Sequence, residues 1–184
     1  MAGVQVQDPR PLVGEPLAID LLNTEWVASG SQADLLATDE GVRAWLAANG
    51  ISAAPAPGTA RALVTARQAI RDVLAAKGGD ATALDRLNRV LGHGCVRLTL
   101  GPLMNPEQAL EVDDRAWLPA VMAAANLLEL LESAPDRIRR CQHPACVLWF
   151  YDTTRNGTRR WCSMAGCGNR AKATRHYDRV KNSR

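Results

Sequence analysis

The last 44 residues of the chain, Cys141 to Arg184, read CQHPACVLWFYDTTRNGTRRWCSMAGCGNRAKATRHYDRVKNSR, and they decide how the rest is understood. Four of the five cysteines fall here as two pairs, Cys141/Cys146 and Cys162/Cys167, each spaced C-x4-C, with fifteen residues between the pairs. A short turn aims both thiolates of a pair at one ion, and the longer gap suits a hairpin that brings the second pair back. Two thiolates from each end make a closed tetrahedral set, the usual arrangement for structural zinc. Soft thiolates select zinc or an iron–sulfur cluster over hard cations. Two disulfides, or four buried thiols, are the competing readings. Disulfides need an oxidising compartment, and MAGVQVQDPRPLVGEP lacks the basic and apolar regions of a signal peptide. No apolar run of about 18 residues is present either. The expectation is a cytoplasmic protein holding one structural Zn2+ per chain. Asn156-Gly157-Thr158 then reads as a turn rather than a glycosylation site, and Cys95 as a small buried hydrophobe.

Charge separates this segment from what precedes it. From Arg137 onward there are 12 Lys and Arg against 2 Asp, a local charge of +10, while residues 1–136 sum to −7. Such asymmetry suggests that the basic segment meets a polyanion. Arg155, Arg159 and Arg160 gather at the presumed turn; Arg170, Lys172, Arg175, Arg179 and Lys181 lie on the presumed final helix, with Lys172, Arg175 and Arg179 on one face. A solvated basic helix offsetting the −2 of a four-thiolate zinc centre explains only two of these charges. The excess favours nucleic acid, bound mainly through phosphates. Base readout would fall to Asn169, Arg175 or Arg179. Asn169 and Arg170, which adjoin the ligand Cys167, suit structural roles better than base contact, with Arg170 reaching Asp152 or turn carbonyls.

The spacing predicts strands at residues 137–141 and 147–151 around a knuckle, Gln142 to Ala145. A turn over 153–158, a returning strand over 159–161 and a helix over 163–181 follow. This is a treble-clef layout. Gly168 allows close backbone approach, and its N–H is positioned to bond a ligand sulfur. Trp149, Phe150 and Trp161 supply a small core. A module of about 45 residues cannot bury enough surface alone, so the metal contributes folding energy.

These residues resemble the bacterial CGNR zinc-finger proteins. The resemblance is carried by Cys141-x4-Cys146, by Arg159-Arg160-Trp161-Cys162-Ser163-Met164, and by Cys167-Gly168-Asn169-Arg170 with Lys172 beyond. In that family the module follows an α/β region called ABATE, and residues 17–26, LAIDLLNTEW, are similar to its opening. The resemblance implies a stress-linked transcription regulator whose zinc module binds DNA and whose first domain senses a small molecule.

The remaining chain reads as α+β and mostly helical with a small β-sheet, dividing into residues 1–135 and 136–184. Residues 1–16 form an extended lead-in and 17–23 a buried strand. Residues 28–33 are a loop and 35–49 a helix capped by Thr38 and stopped by Gly50. A Pro/Ala connector leads to an amphipathic helix over 59–77. After Gly78-Gly79, Asp80 starts a second one with Leu84, Leu87 and Leu91 inward, giving an antiparallel pair. Strands over 95–100 and 108–112 precede an apolar helix, 117–133, whose Ala120, Ala123, Ala124 and Ala125 admit a close neighbour.

No Walker loop, GxGxxG, HExxH or nucleophile elbow occurs. His93 lies in a Gly-flanked loop with no acid adjacent and reads as solvent-facing. His143 lies inside the knuckle, and His176 lies in the basic helix. The expectation is no enzyme and no catalytic residue. Asp20, Asn23 and Thr24 near the first strand end are candidates for a small-ligand site, with backbone capping as the plainer role; Arg43 and Arg61 are possible anion partners. Two other readings stay open: an RNA-binding module stacking bases on Trp149, Phe150 or Tyr151, and a ligand-binding or protein-interaction module that binds no nucleic acid, with the zinc bracing the first domain.

Overall fold

The structure is a computed structural model that describes residues 8–77 and 79–182, with residues 175–180 and 182 described as backbone only. It is built around a six-residue helix, α1 (Leu17–Leu22), whose Ala18, Ile19, Asp20, Leu21 and Leu22 are all buried. The sequence reading made this segment a strand. It is a helix because Pro16 lends its carbonyl to the N–H groups of Ile19 and Asp20, both at 2.8 Å, and opens the turn. A short helix surrounded on all sides shows no polar face, so its periodicity is invisible.

The segment read as a loop after α1 is a tight hairpin, β1 (Glu25–Ala28) against β2 (Ser31–Asp34). Ser29 and Gly30 form its two-residue turn at φ 50° and 84°, the left-handed pair that matches strand twist. Next comes α2 (Asp39–Ala48), capped as expected by Thr38, whose hydroxyl accepts the Gly41 N–H. The long helices α3 (Thr59–Ala76) and α4 (Ala81–Leu91) form the antiparallel pair, Asp80 capping the second. Ala83, Leu87 and Val90 face inward, whereas Leu84, expected inside, is 39% exposed. A hairpin of β3 (Gly94–Leu100) and β4 (Pro106–Val112) leads to α5 (Leu118–Ser133), in which Ala120, Ala123 and Ala124 are fully buried against α1 and α3. Cys95, expected to be buried, is exposed on the hairpin.

One apolar core serves the whole described chain. It runs from Ile19, Leu22, Leu63 and Leu127 to Leu148, Phe150 and the four C-terminal cysteines. The last segment contributes β5 (Ile138–Arg140), β6 (Trp149–Tyr151) and α6 (Asn169–Asn182). Among the described residues the sheets are three separate two-stranded antiparallel pairs, so the architecture is α+β and mostly helical. Among the described residues, no helix is long and apolar enough to cross a membrane.

Candidate metal centre and basic surface

The C-terminal module begins with an ordinary ladder. β5 pairs with β6, and Cys141 N–H donates to the Leu148 carbonyl at 2.9 Å, closing the hairpin over the Gln142–Ala145 knuckle. That aims Cys141 and Cys146 to one side. The chain returns as loop rather than as the strand expected over 159–161. The cause is Asp152, fully buried, whose carboxylate accepts the N–H and hydroxyl of Thr154 at 3.0 and 2.6 Å and the N–H of Arg159 at 2.8 Å. Burial alone raises this carboxyl; the Thr154 and Arg159 bonds and the nearby Arg139 outweigh it and hold the group below its usual range. With its N–H spent on a side chain, Arg159 joins no ladder, although Gln142 N–H still reaches the Arg160 carbonyl at 3.0 Å. Treble-clef order survives as knuckle, returning loop and helix.

The second pair sits at the entry of α6. Ser163 accepts the Gly166 N–H at 3.1 Å and starts a single wide turn, Met164–Gly168, that presents Cys167 two residues before the helix. Gly168 does not bond a sulfur as expected; its N–H donates to the Ser163 carbonyl at 2.9 Å. Its lack of a side chain serves packing, since a Cβ there would lie 2.8 Å from Met164 Sδ. Groups that do approach the sulfurs include Cys162 N–H, 3.5 Å from Cys141 Sγ, the Arg170 guanidinium, 3.5 Å from Cys167 Sγ, and the Leu148 backbone at Cys146. Arg170 therefore reaches a ligand thiolate instead of Asp152.

The four sulfurs are buried and all lie within 4.8 Å of one another, with Cys146–Cys162 at 3.8 Å and Cys162–Cys167 at 3.6 Å. A tetrahedron with zinc–sulfur bonds of about 2.3 Å has edges of about 3.8 Å, so the donors stand where zinc needs them. Their protonation makes the same point. A hydrogen bond from Cys162 brings Cys146 down to about 5, while Cys162 is pushed far up by holding that proton and burial lifts Cys167 to about 11. Four thiolates this close cannot all ionise without a cation among them. His143, the alternative ligand, accepts the Ala145 N–H at 3.3 Å outside the sulfur cluster.

The module is fastened to the N-terminal segment through the free edge of β6. Ladder bonds fall at Leu148 and Asp152, so Trp149 and Tyr151 turn their backbone groups the other way. Asn23 takes both groups of Trp149, accepting its N–H at 2.9 Å and donating to its carbonyl at 3.0 Å. Glu15 accepts the Tyr151 N–H at 2.8 Å. Two side chains thus stand in for a neighbouring strand. Asp20, Asn23 and Thr24 are all buried, but they serve structure. Asp20 accepts from Arg10 at 2.6 Å and Asn49 at 3.0 Å. Thr24 accepts from Arg67 at 2.8 Å and donates to the Leu21 carbonyl.

The basic residues divide by partner. Arg159, expected at a phosphate surface, is turned inward: its guanidinium lies over Phe150 at 4.3 Å and donates to the Trp161 and Cys162 carbonyls. Arg137 binds the carbonyls of Asp152 and Thr154 and braces the 152–157 turn. Arg155, Arg160, Arg170, Lys172 and Lys181 are exposed, and among the described residues none pairs with a carboxylate. Arg155 and Arg160 flank a cleft of about 590 Å³ beside Trp161 that no acidic residue lines. The side chains of Arg175, His176 and Arg179 lie outside the described residues. Nothing in the sequence marked Asn23, Glu15, Asp152 or Arg137 for these roles, because nearly every partner lies more than ten residues away or is a main-chain group, the Thr154 hydroxyl on Asp152 excepted. His93, expected without an acid, bonds Asp113 at 2.9 Å and stacks on Trp117 at 3.7 Å.

A closed, buried four-cysteine cluster between a knuckle and a helix entry defines a zinc finger, and it holds one structural zinc. Residues 137–180 match the CGNR zinc finger family. Residues 15–134 match ABATE, described as "Putative stress-induced transcription regulator". The chain belongs to the ABATE family, with its CGNR zinc finger following. No curated protein matches it significantly.

Proposed function

We propose that this protein is a transcription regulator that binds duplex DNA through the basic face of its zinc module and carries out no chemistry of its own. The observation that carries the reading is the group of exposed cations, Arg155, Arg160, Arg170 and Lys172, on a metal-braced scaffold with no carboxylate partners among the described residues. Cations held ready in this way neutralise phosphates and release counterions. Because Asn23 and Glu15 hold the module against α1, a change in the N-terminal segment is transmitted to the DNA-binding face. Fluorescence anisotropy with a labelled duplex at two salt concentrations tests the reading. Affinity is expected to fall steeply with salt, and Arg155→Ala and Arg160→Ala each to lower the slope by roughly one contact. An unlabelled single-stranded RNA that competes as well as the duplex would move the function to RNA; no salt-dependent affinity would remove nucleic acid altogether.

A cleft of about 440 Å³ between α3 and α4 supports the sensing half of the reading. Ala69, Val90 and Trp117 line it, with Arg86, Arg89 and His93 around them. An apolar wall beside the Arg89 guanidinium suits a small aromatic carboxylate, Arg86 and His93 being already paired with Asp72 and Asp113. Ligand-observed NMR with benzoate tests it: line broadening lost in Arg89→Ala and Trp117→Ala supports the site, and identical broadening in those variants refutes it.

A further inference from the structure

The β3–β4 hairpin is built with two faces. Its register places Gly94 opposite Val112, Val96 opposite Leu110, Leu98 opposite Gln108 and Leu100 opposite Pro106. Since side chains alternate across a strand, those eight residues share one side, and Gln108 is its only polar side chain. The other side carries Cys95, Arg97, Thr99, Glu107, Ala109 and Glu111, with Arg97 paired to Glu111 at 2.7 Å. This is the alternation of a sheet with one buried face.

Only the root of that face is covered. Gly94 lies so close to α5 that a Cβ would sit 2.6 Å from Val121 Cγ1, and Leu110 and Val112 are half-buried. His93 and Asp113 clamp the two strand ends together. Beyond the root, Val96, Leu98 and Leu100 are 59%, 70% and 64% exposed. At the tip, Leu103 is fully exposed and Met104 78% exposed. Both hold left-handed backbone, φ 61° and 62°, in a turn that favours Asn-Gly. Large apolar residues placed there are strained as well as wet. A lone two-stranded ribbon is marginal in water, and a continuous exposed apolar patch marks a contact surface.

We propose that this hairpin is a dimerisation arm, and that two copies of the chain pack their apolar arm faces against each other about a twofold axis. Charge selects the occupant. The face carries no ionised group, so an acidic or basic partner finds nothing to pair with, while a second copy brings no like charges together. Residues 1–136 as a whole are net acidic and residues 137–184 net basic, while this face of the arm is an uncharged, self-complementary patch. Size agrees. Five exposed side chains of on the order of 100 Å² each, reduced by their present exposure, offer about 400 Å² of apolar surface per copy. A standard interface contributes about 800 Å² per partner, somewhat more than half of it apolar.

Sedimentation equilibrium of the zinc-loaded full chain over a range of concentrations tests this. Wild type should approach twice 19.9 kDa. Leu98→Glu should raise the dimer dissociation constant at least about a hundredfold, because symmetry buries the new charge twice, with zinc content and thermal midpoint at low concentration retained. Leu103→Ser, at a fully exposed site where the monomer has no side-chain packing to lose, should weaken dimerisation in the same direction. A wild type that stays monomeric overturns the proposal, whether or not it is captured by anionic lipid vesicles. So does a dimer indifferent to both substitutions. DNA affinity does not enter any of these readouts.

Discussion

Replacing Asn23 by alanine isolates the bond between the two halves of the molecule. The side chain is fully buried and makes two hydrogen bonds, both to the backbone of Trp149. Removing it leaves an N–H and a carbonyl unpaired at the edge of β6. An unsatisfied buried group costs about 1–3 kcal/mol; Trp149 is only half-buried, so water recovers part of this and a total of about 2–4 kcal/mol is expected. Urea unfolding of the zinc-loaded protein, followed by circular dichroism, measures it. Asn23→Asp is the sharper variant. It keeps the acceptor for the Trp149 N–H but turns the donor into an acceptor facing a carbonyl, so it should be at least as damaging as alanine at pH 7. Limited proteolysis should find residues 134–137 more accessible in both variants. If each variant loses less than about 0.5 kcal/mol, the latch is not what joins the module to α1.

Other consequences concern the N-terminal segment. Arg67, nearly fully buried, binds both oxygens of Asp34 at 2.7 Å and Thr24 at 2.8 Å, so Arg67→Ala should cost about 3–5 kcal/mol in chemical denaturation; Arg67→Lys, lacking the fork, should recover only part. Gly41→Ala should destabilise α2 despite alanine's better helix propensity, because the added Cβ would stand 1.7 Å from the Leu35 carbonyl oxygen; a raised midpoint would contradict the packing described. For pH, burial raises the Asp34 carboxyl, but the Arg67 bonds and charge outweigh it and hold the group below its usual value. The folded state then binds fewer protons than the unfolded one, and its stability is full above about pH 5 and falls as acid reaches the depressed value. Asp34→Asn should flatten that fall, and the comparison with wild type subtracts the acid loss of zinc common to both.

What could be read from the sequence is what depends on neighbours in the chain. The paired C-x4-C spacing, the Thr38 and Asp80 caps, the α3–α4 turn and the β3–β4 strands all follow from residues within a few positions of one another. The errors lie where distant groups decide. α1, whose first turn Pro16 opens, is surrounded by α3, α5 and β6, which erases its periodicity. Arg159 resembled its basic neighbours in sequence but turns toward Phe150 and two carbonyls. Arg10, in the stretch read as an extended lead-in, is buried against Asp20. His93 meets its acid twenty residues later, after an intervening hairpin. Within the candidate site, the metal ligands were legible from spacing; the latch and the turn-bracing carboxylate were not, because their partners are mainly backbone groups.

The central claim is that one zinc, held by Cys141, Cys146, Cys162 and Cys167 alone, organises the module that carries the basic face. X-ray absorption at the zinc edge on the full chain, beside elemental analysis, tests it most directly. The account predicts one zinc per chain with four sulfurs at about 2.3 Å and no nitrogen or oxygen ligand. A nitrogen in the shell would bring in His143, and a protein that folds with no metal would contradict the account.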